Sequence, residues 1–186
     1  TRGRILTSSP ILAKVSIIGV NMIKAQMQTY KEAYTFDYPA AIEMAEAQEK
    51  VFWTANEINV DKDIMDMRVN MTDAEQHGVI TTLKLFTLYE LVAGNEYWGG
   101  RFKRMFPRHD IRQMASTFAY TELGIHAPFY NKINKALHLD NDEFYTDYVN
   151  NPVLKARMEA VEDFVNHDDD LVSLGAFSMV EGAVLY

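Results

Sequence analysis

Residues 111–133, IRQMASTFAYTELGIHAPFYNKI, contain the most informative pattern in this chain. Apolar residues recur along this stretch at steps of three or four, which places them on one face of an α-helix. Glu122 and His126 are the polar exceptions on that face, one helical turn apart. The face consists of Ile111, Ala115, Phe118, Glu122, His126, Phe129 and Ile133. The pattern therefore predicts a long helix that directs a carboxylate and an imidazole towards the core.

Two further stretches each have one acidic residue in an apolar setting. A second predicted helical face consists of Val79, Leu83, Phe86, Glu90, Ala93 and Tyr97. In residues 171–186, LVSLGAFSMVEGAVLY, Glu181 is the only charged residue. Burying an unpaired carboxylate is costly unless the group takes up a proton, so three carboxylates directed at one core indicate a shared cation. Carboxylates with an imidazole inside a helical bundle favour iron, manganese or zinc over calcium or magnesium.

The composition is that of one soluble helical domain. The chain has 186 residues, of which 48% are hydrophobic and 12% aromatic, enough for a sizeable core. It has no cysteine, which excludes a disulfide scaffold and a thiolate metal site. No apolar run is long enough to predict a membrane span, and the net charge of -8 argues against nucleic acid as the main partner. We therefore expect an all-α, cytoplasmic protein.

The chain divides into an N-terminal arm, residues 1–38, and a helical body, residues 39–186. Within the arm, LAKVSIIGV (12–20) could be a short strand or a turn of helix, with the strand-like part at residues 14–20. The predicted helices run from Pro39 to about Ala55 or Asn56, from Thr72 to about Trp98, from Asp110 to about Leu137, from Pro152 to about Asn166, and over the final apolar stretch. Thr72 and Glu75 form a capping box at the start of the second helix, and Gly99 with Gly100 is expected to end it. The polar connection after the third helix includes one short helix.

Pro128 predicts an irregularity in the third helix, close to Glu122 and His126. At about 100° per residue, the two side chains lie roughly 40° apart around the axis. Pro128 lacks an N–H, and its ring crowds the carbonyl group of Gly124, which disfavours a straight helix. We expect a kink or π-bulge between Glu122 and Pro128. A bulge would give the pair the relationship that Glu-x-x-His has in a regular helix.

Several blocks of the sequence resemble the small, radical-generating subunit of class I ribonucleotide reductase. They are VFWTANEI (51–58), TDAEQH (72–77), LFTLYE (85–90), FAYTELGIHAPFY (118–130) and FSMVEGAVLY (177–186), in the family's order and rough spacing. The resemblance covers about residues 38–186. Such proteins are ferritin-like bundles that bind two metal ions through a Glu on each of two helices and a Glu-x-x-His on each of two others. The resemblance implies a ferritin-like helical bundle, of which this chain holds the N-terminal half.

The resemblance also implies roles for individual residues. The implied metal ligands are Glu90, Glu122, His126 and Glu181. Tyr130 matches the tyrosine that holds the stable radical, and Trp53 matches the tryptophan that begins radical transfer. The implied cofactor is two iron ions, or manganese with iron, activated by O2. The implied partners are a second copy of the small subunit and a large catalytic subunit, which uses the radical to reduce ribonucleotides to deoxyribonucleotides.

The sequence departs from the family pattern at two points. Its spacing is Glu-x-x-x-His, which the expected bulge would compensate. A second Glu/His pair is not found before Tyr186, so we expect either a split subunit, completed by a complementary polypeptide, or a fragment. Glu159, Glu162 and His167 are the only later candidates, and their polar surroundings favour a solvated face. The apolar residues 182–186 also favour a partner chain.

Each of these residues also has a purely structural interpretation. Glu90 could pair with one of three nearby basic residues, namely Arg101, Lys103 and Arg104. His126 could be an ordinary core histidine, and Tyr130 and Trp53 could be packing residues. The alternative functions are a ferritin-type iron store, a ligand-binding dimetal oxidase and a structural helical partner without metal.

Overall fold

The computed structural model describes residues 26–184, and the possible strand at residues 14–20 lies outside them. The elements are α1 (Pro39–Lys50), a 3₁₀ turn (Ala55–Glu57), α2 (Asp61–Val69), α3 (Asp73–Leu91), the π-helical segment π1 (Val92–Arg101), α4 (Phe102–Met105), α5 (His109–Tyr120), π2 (Thr121–His126), α6 (Ala127–Ala136), α7 (Asp142–Thr146), a second 3₁₀ turn (Asp147–Asn150), α8 (Pro152–Val165), α9 (Asp170–Met179) and π3 (Val180–Val184). The described part is all-α, as the sequence predicted. None of its helices is long and apolar enough to cross a membrane.

The first long helix consists of α3, π1 and α4, and it begins at the predicted capping box. The Thr72 side chain accepts the Glu75 backbone N–H, while the Glu75 carboxylate accepts the Thr72 backbone N–H. The prediction that Gly99 and Gly100 end this helix is wrong, because the helix continues to Met105. A Cβ on Gly99 would lie 2.6 Å from the carbonyl oxygen of Gly94. Glycine therefore permits the close backbone approach in π1 rather than stopping the helix.

The second long helix consists of α5, π2 and α6, from His109 to Ala136. The prediction of one helix with an irregularity between Glu122 and Pro128 is confirmed by π2. Pro128 lies in the first turn of α6, where its missing N–H and crowded ring are accommodated by the preceding π segment. A Cβ on Gly124 would lie 2.5 Å from the ring of Tyr120, so a larger residue here would require this exposed ring to move.

Helix α1 ends at Lys50, not at Ala55 or Asn56 as the sequence predicted. The chain leaves the helix there and brings Trp53 edge-on to Phe129 of α6, with their ring centroids 5.3 Å apart. This contact between distant segments overrides the local preference for helix. Helix α2 was also not predicted, because it is short and only Ile64 and Met67 of its nine residues are buried.

Within residues 26–184, the core consists of three apolar clusters that align the two long helices. The largest joins α3 and π1 to α8 and α9, through Tyr89, Tyr97, Val161 and Phe177 among others. The second joins α1 to α5, and the third joins α2 to α3 and α6. Helix α3 packs along α6, and π1 packs along α5. This arrangement sets the end of α3 directly against π2.

The described part of the N-terminal arm is fixed to the start of α5. The backbone N–H groups of Asp37 and Tyr38 donate to the carboxylate of Asp110. Arg108 forms an ion pair with Asp37. The division of the chain at residue 38 stays a prediction.

Candidate metal centre

The fold brings Glu90, Glu122 and His126 to one place. One potential ligand atom from each lies within 4.8 Å of the other two. The Nδ1 atom of His126 lies 2.7 Å from Oε2 of Glu122 and 3.7 Å from Oε1 of Glu90. Glu90 comes from the last turn of α3, whereas the other two come from π2. Three of the four predicted ligands therefore form a compact group.

The π2 segment explains how a Glu-x-x-x-His spacing can form this group. A π-turn closes its hydrogen bond over five residues instead of four, so each turn takes in an extra residue. Residues four apart then lie nearly one turn apart, on the same side of the axis. Glu122 and His126 accordingly face each other within hydrogen-bond distance.

Glu90 is the most deeply buried member of the group, with 4% of its surface exposed. Its Oε2 atom has no hydrogen-bond partner among the described residues. Burial raises the pKa of Glu90, and a hydrogen bond with Glu122 and the negative charges of Glu122 and Glu181 raise it further. Arg101, considered from the sequence as a partner for Glu90, instead pairs with Asp170 of α9 at 2.9 Å. A buried carboxylate among other acids has the environment that a bound cation would neutralise.

Glu181 lies in π3, beside this group but not within its compact part. Its Oε1 atom accepts a hydrogen bond from the indole Nε1–H of Trp98, with the two atoms 3.1 Å apart. Burial raises the pKa of Glu181, as does the charge of Glu122, whereas Trp98 and His126 act in the opposite direction. Glu181 therefore interacts electrostatically with the group through Glu122 and His126.

Tyr130 follows His126 by one turn and is half-buried against α3. Its ring centroid lies 5.6 Å from that of Phe86. Burial raises the pKa of Tyr130 to about 12, and the charges of Glu90 and Glu122 contribute to this rise. Tyr130 is therefore a protonated phenol at neutral pH, close to the acidic group. It also lines an open, apolar groove of about 530 Å³ along α3.

Trp53 lies next to His126. The centroids of its indole ring and the imidazole are 6.1 Å apart, with the ring planes tilted by 33°. The radical-transfer role of Trp53 was predicted from the family resemblance alone. The structure brings it into the surroundings of a candidate ligand.

One residue of the site, Trp98, was not predicted from the sequence. Trp98 was considered only as the end of a helix, yet it contacts Glu181. No pattern in the sequence indicated this contact, because it depends on the change of helical repeat in π1. Later candidates Glu159, Glu162 and His167 are exposed, which confirms the prediction of a solvated face.

The geometry defines a class of protein: an α-helical bundle with an internal carboxylate and histidine cluster, as in ferritin-like proteins. The family model described as "Ribonucleotide reductase, small chain" matches residues 31–186. The chain therefore belongs to that family.

A viral relative agrees with the family match. This protein, the "Probable ribonucleoside-diphosphate reductase small subunit 048L" of Invertebrate iridescent virus 3, is 23% identical to the chain over 139 residues. The aligned region is 75% of this chain and 35% of the viral protein. The chain thus spans about a third of the length of that curated relative.

Proposed function

We propose that this chain forms part of a ribonucleotide reductase small subunit and contributes Glu90, Glu122, His126 and Glu181 to a dimetal centre. The observation that carries the proposal is the buried Glu90 carboxylate, with an oxygen lacking a partner among the described residues, beside a second carboxylate and an imidazole. Oxygen and nitrogen donors suit first-row metal ions, so two iron ions or manganese with iron would fit.

The four side chains supply only part of the ligands that two metal ions need. First-row ions in proteins take about four to six donors each, even when carboxylates bridge the two ions. Among residues 26–184, the Glu90, Glu122 and His126 group is the one cluster with metal-binding geometry. We infer that a further Glu/His pair comes from outside these residues, on a complementary polypeptide or another segment.

The surrounding residues fit radical chemistry. When bound and activated by O2, the metal pair would supply the oxidising power for a radical on Tyr130. Tyr130 keeps its phenolic proton in the resting protein, and its oxidation would pass an electron to the metal pair and the proton to a carboxylate of the nearby acidic group, Glu90 or Glu122. The rings of Phe86 and Phe129 flank it, with their centroids 5.6 and 6.0 Å from that of Tyr130. We propose that Trp53, whose indole ring lies next to His126, carries the oxidising equivalent towards another subunit.

The proposed partner is the large catalytic subunit, which would bind a ribonucleotide and reduce it to a deoxyribonucleotide. The family match and the printed name of the viral relative support this assignment. We further propose a dimeric small subunit in the cytoplasm. A ferritin-like iron store or ligand-binding oxidase would need neither Tyr130 nor Trp53 at these positions.

The Tyr130→Phe substitution tests the proposal in the assembled small subunit with its large subunit. Phe keeps the ring and nearly all of its volume, so folding and metal content should be unchanged. We expect the tyrosyl signal in electron paramagnetic resonance and nucleotide reduction to be lost. The matched control is Tyr120→Phe, which alters an exposed tyrosine of α5 and should keep both. Full reductase activity in Tyr130→Phe would exclude the radical role.

A further inference from the structure

The hydrogen bond between Trp98 and Glu181 joins segments that are 83 residues apart in the chain. An indole N–H can only donate, and an ionised carboxylate can only accept, so the direction of this bond is fixed. Trp98 comes from π1, and Glu181 comes from π3. The bond therefore links π1 to π3, the segment that carries the fourth proposed ligand.

The π1 segment determines that Trp98 reaches the site. Trp98 follows Glu90 by eight residues, which in a regular α-helix is about 2.2 turns and would direct it well away from the Glu90 face. From Val92 onwards each turn of π1 takes in an extra residue, so Trp98 is rotated relative to its direction in a regular α-helix, and its N–H reaches Glu181. The irregular segment thus has a definite consequence for the site.

Packing fixes the orientation of the indole ring. Its centroid lies 4.9 Å from the ring of Phe102, 5.0 Å from that of Phe118 and 6.0 Å from that of Phe177. The last two contacts are edge-to-face, an arrangement that aromatic pairs prefer. Rings from α4, α5 and α9 therefore hold the N–H group in one direction.

We propose that Trp98 is a positioning residue for Glu181. Its N–H group holds one carboxylate oxygen and turns the other towards the Glu90, Glu122 and His126 group, so that the carboxylate is oriented before a metal ion binds. The inference rests on the proposed function, because it requires Glu181 to be a metal ligand. It goes further by assigning the orientation of that ligand to a tryptophan in an irregular helical segment.

Metal affinity gives the first test. We would titrate the metal-free, assembled small subunit with Mn(II) and follow free Mn(II) by electron paramagnetic resonance. Trp98→Phe removes the N–H but keeps an aromatic ring, and we expect it to weaken Mn(II) binding roughly 10- to 100-fold. Tyr97→Phe removes a polar group from the adjacent residue and should bind like the native protein. Phe177→Leu loosens the packing of the same rings and should weaken binding less than Trp98→Phe.

Ultraviolet resonance Raman spectroscopy of the metal-free protein gives a second, independent test. The difference between native and Trp98→Phe spectra isolates the Trp98 indole, which should show a hydrogen-bonded N–H. In Glu181→Ala that signature should change to that of a free N–H, whereas Tyr97→Phe should keep it. Absence of the signature in the native protein would overturn the proposal.

The outcomes separate this inference from the proposed function. If Trp98→Phe binds Mn(II) as tightly as the native protein, or Phe177→Leu loses as much affinity, Trp98 has no positioning role. If Glu122→Ala still abolishes binding in that case, the metal centre itself stands. If the native protein binds no Mn(II), both the proposed function and the role of Trp98 are wrong.

Discussion

Two buried carboxylates, Glu90 and Asp110, have opposite environments in this protein. Asp110 is completely buried at the start of α5, where it accepts three backbone hydrogen bonds and lies 3.5 Å from Arg108. The donors are the backbone N–H groups of Asp37, Tyr38 and Ile111, at 3.0, 3.2 and 3.0 Å. Glu90, by contrast, faces a second carboxylate and has an oxygen without a hydrogen-bond partner among the described residues.

The two environments shift the pKa values in opposite directions. Burial alone would raise the pKa of Asp110, but the backbone donors and Arg108 outweigh it and lower that pKa. For Glu90, burial and the neighbouring acids all raise the pKa. The chain itself stabilises the charge of Asp110, which fits a structural role. It leaves the charge of Glu90 uncompensated, which fits a residue that awaits a cation.

The largest expected effect is on metal binding. Glu122→Ala and His126→Ala each remove one member of the compact group, so metal content of the assembled protein should fall to background by elemental analysis. Far-UV circular dichroism should stay close to native, because tertiary packing rather than these side chains holds the helices. The control is Asp110→Asn, which changes a buried carboxylate outside the metal group. The folded fraction of this variant should keep its metal. Metal retained by both ligand variants would refute the assignment of the site.

The next largest effect is on stability. Asp110→Ala removes the acceptor of three backbone N–H groups and one of the two ion-pair partners of Arg108. We therefore expect the free energy of unfolding to fall by about 3–5 kcal/mol. Urea denaturation of the metal-free protein would measure it. The control is Asp140→Asn, an exposed acid after α6, which should behave like the native protein. A loss no larger than that of the control would contradict the structural role of Asp110.

The pH dependence of the metal-free protein should have opposite signs at the two sites. The pKa of Asp110 is lowered from its ordinary 3.8, so its stabilisation is present above that pH and fades as the pH falls. The pKa of Glu90 is raised from 4.5, so its favourable contribution is present below that pH and is lost as the pH rises.

Thermal melts of two variants would measure this difference. Glu90→Gln should raise the Tm of the metal-free protein at neutral pH and change it little below the ordinary pKa of the carboxyl group. Asp110→Asn should lower the Tm at neutral pH, with a smaller deficit in acid. If both variants shift the Tm in the same direction at neutral pH, the two carboxylates do not have opposite effects on stability.

The smallest effect is expected for exposed carboxylates. Glu159 pairs with Lys155 at 3.6 Å on the surface of α8, and such pairs contribute about 0.3–0.5 kcal/mol. Glu159→Gln and Glu162→Gln should therefore change stability little and leave metal content intact. A drop in metal content would show that solvent-facing acids take part in the site.

Features that depend on local patterns could be predicted from the amino-acid sequence alone. Apolar periodicity predicted the long helices, and the capping box predicted the start at Thr72. The same periodicity singled out Glu90, Glu122 and His126, because a charged group on an apolar stripe needs a special explanation. The Gly124 and Pro128 pair predicted the π segment, since the steric conflict arises within a single turn.

Features that depend on distant contacts became clear only in the folded structure. The end of α1 follows from packing of Trp53 on Phe129, and the charge of Asp110 is stabilised by backbone groups as far as 73 residues away. The Trp98 to Glu181 hydrogen bond requires π1, which continues a helix where two glycines suggested a stop. Periodicity with one fixed helical repeat cannot register a change of repeat, and it cannot show which distant segment supplies a hydrogen-bond partner.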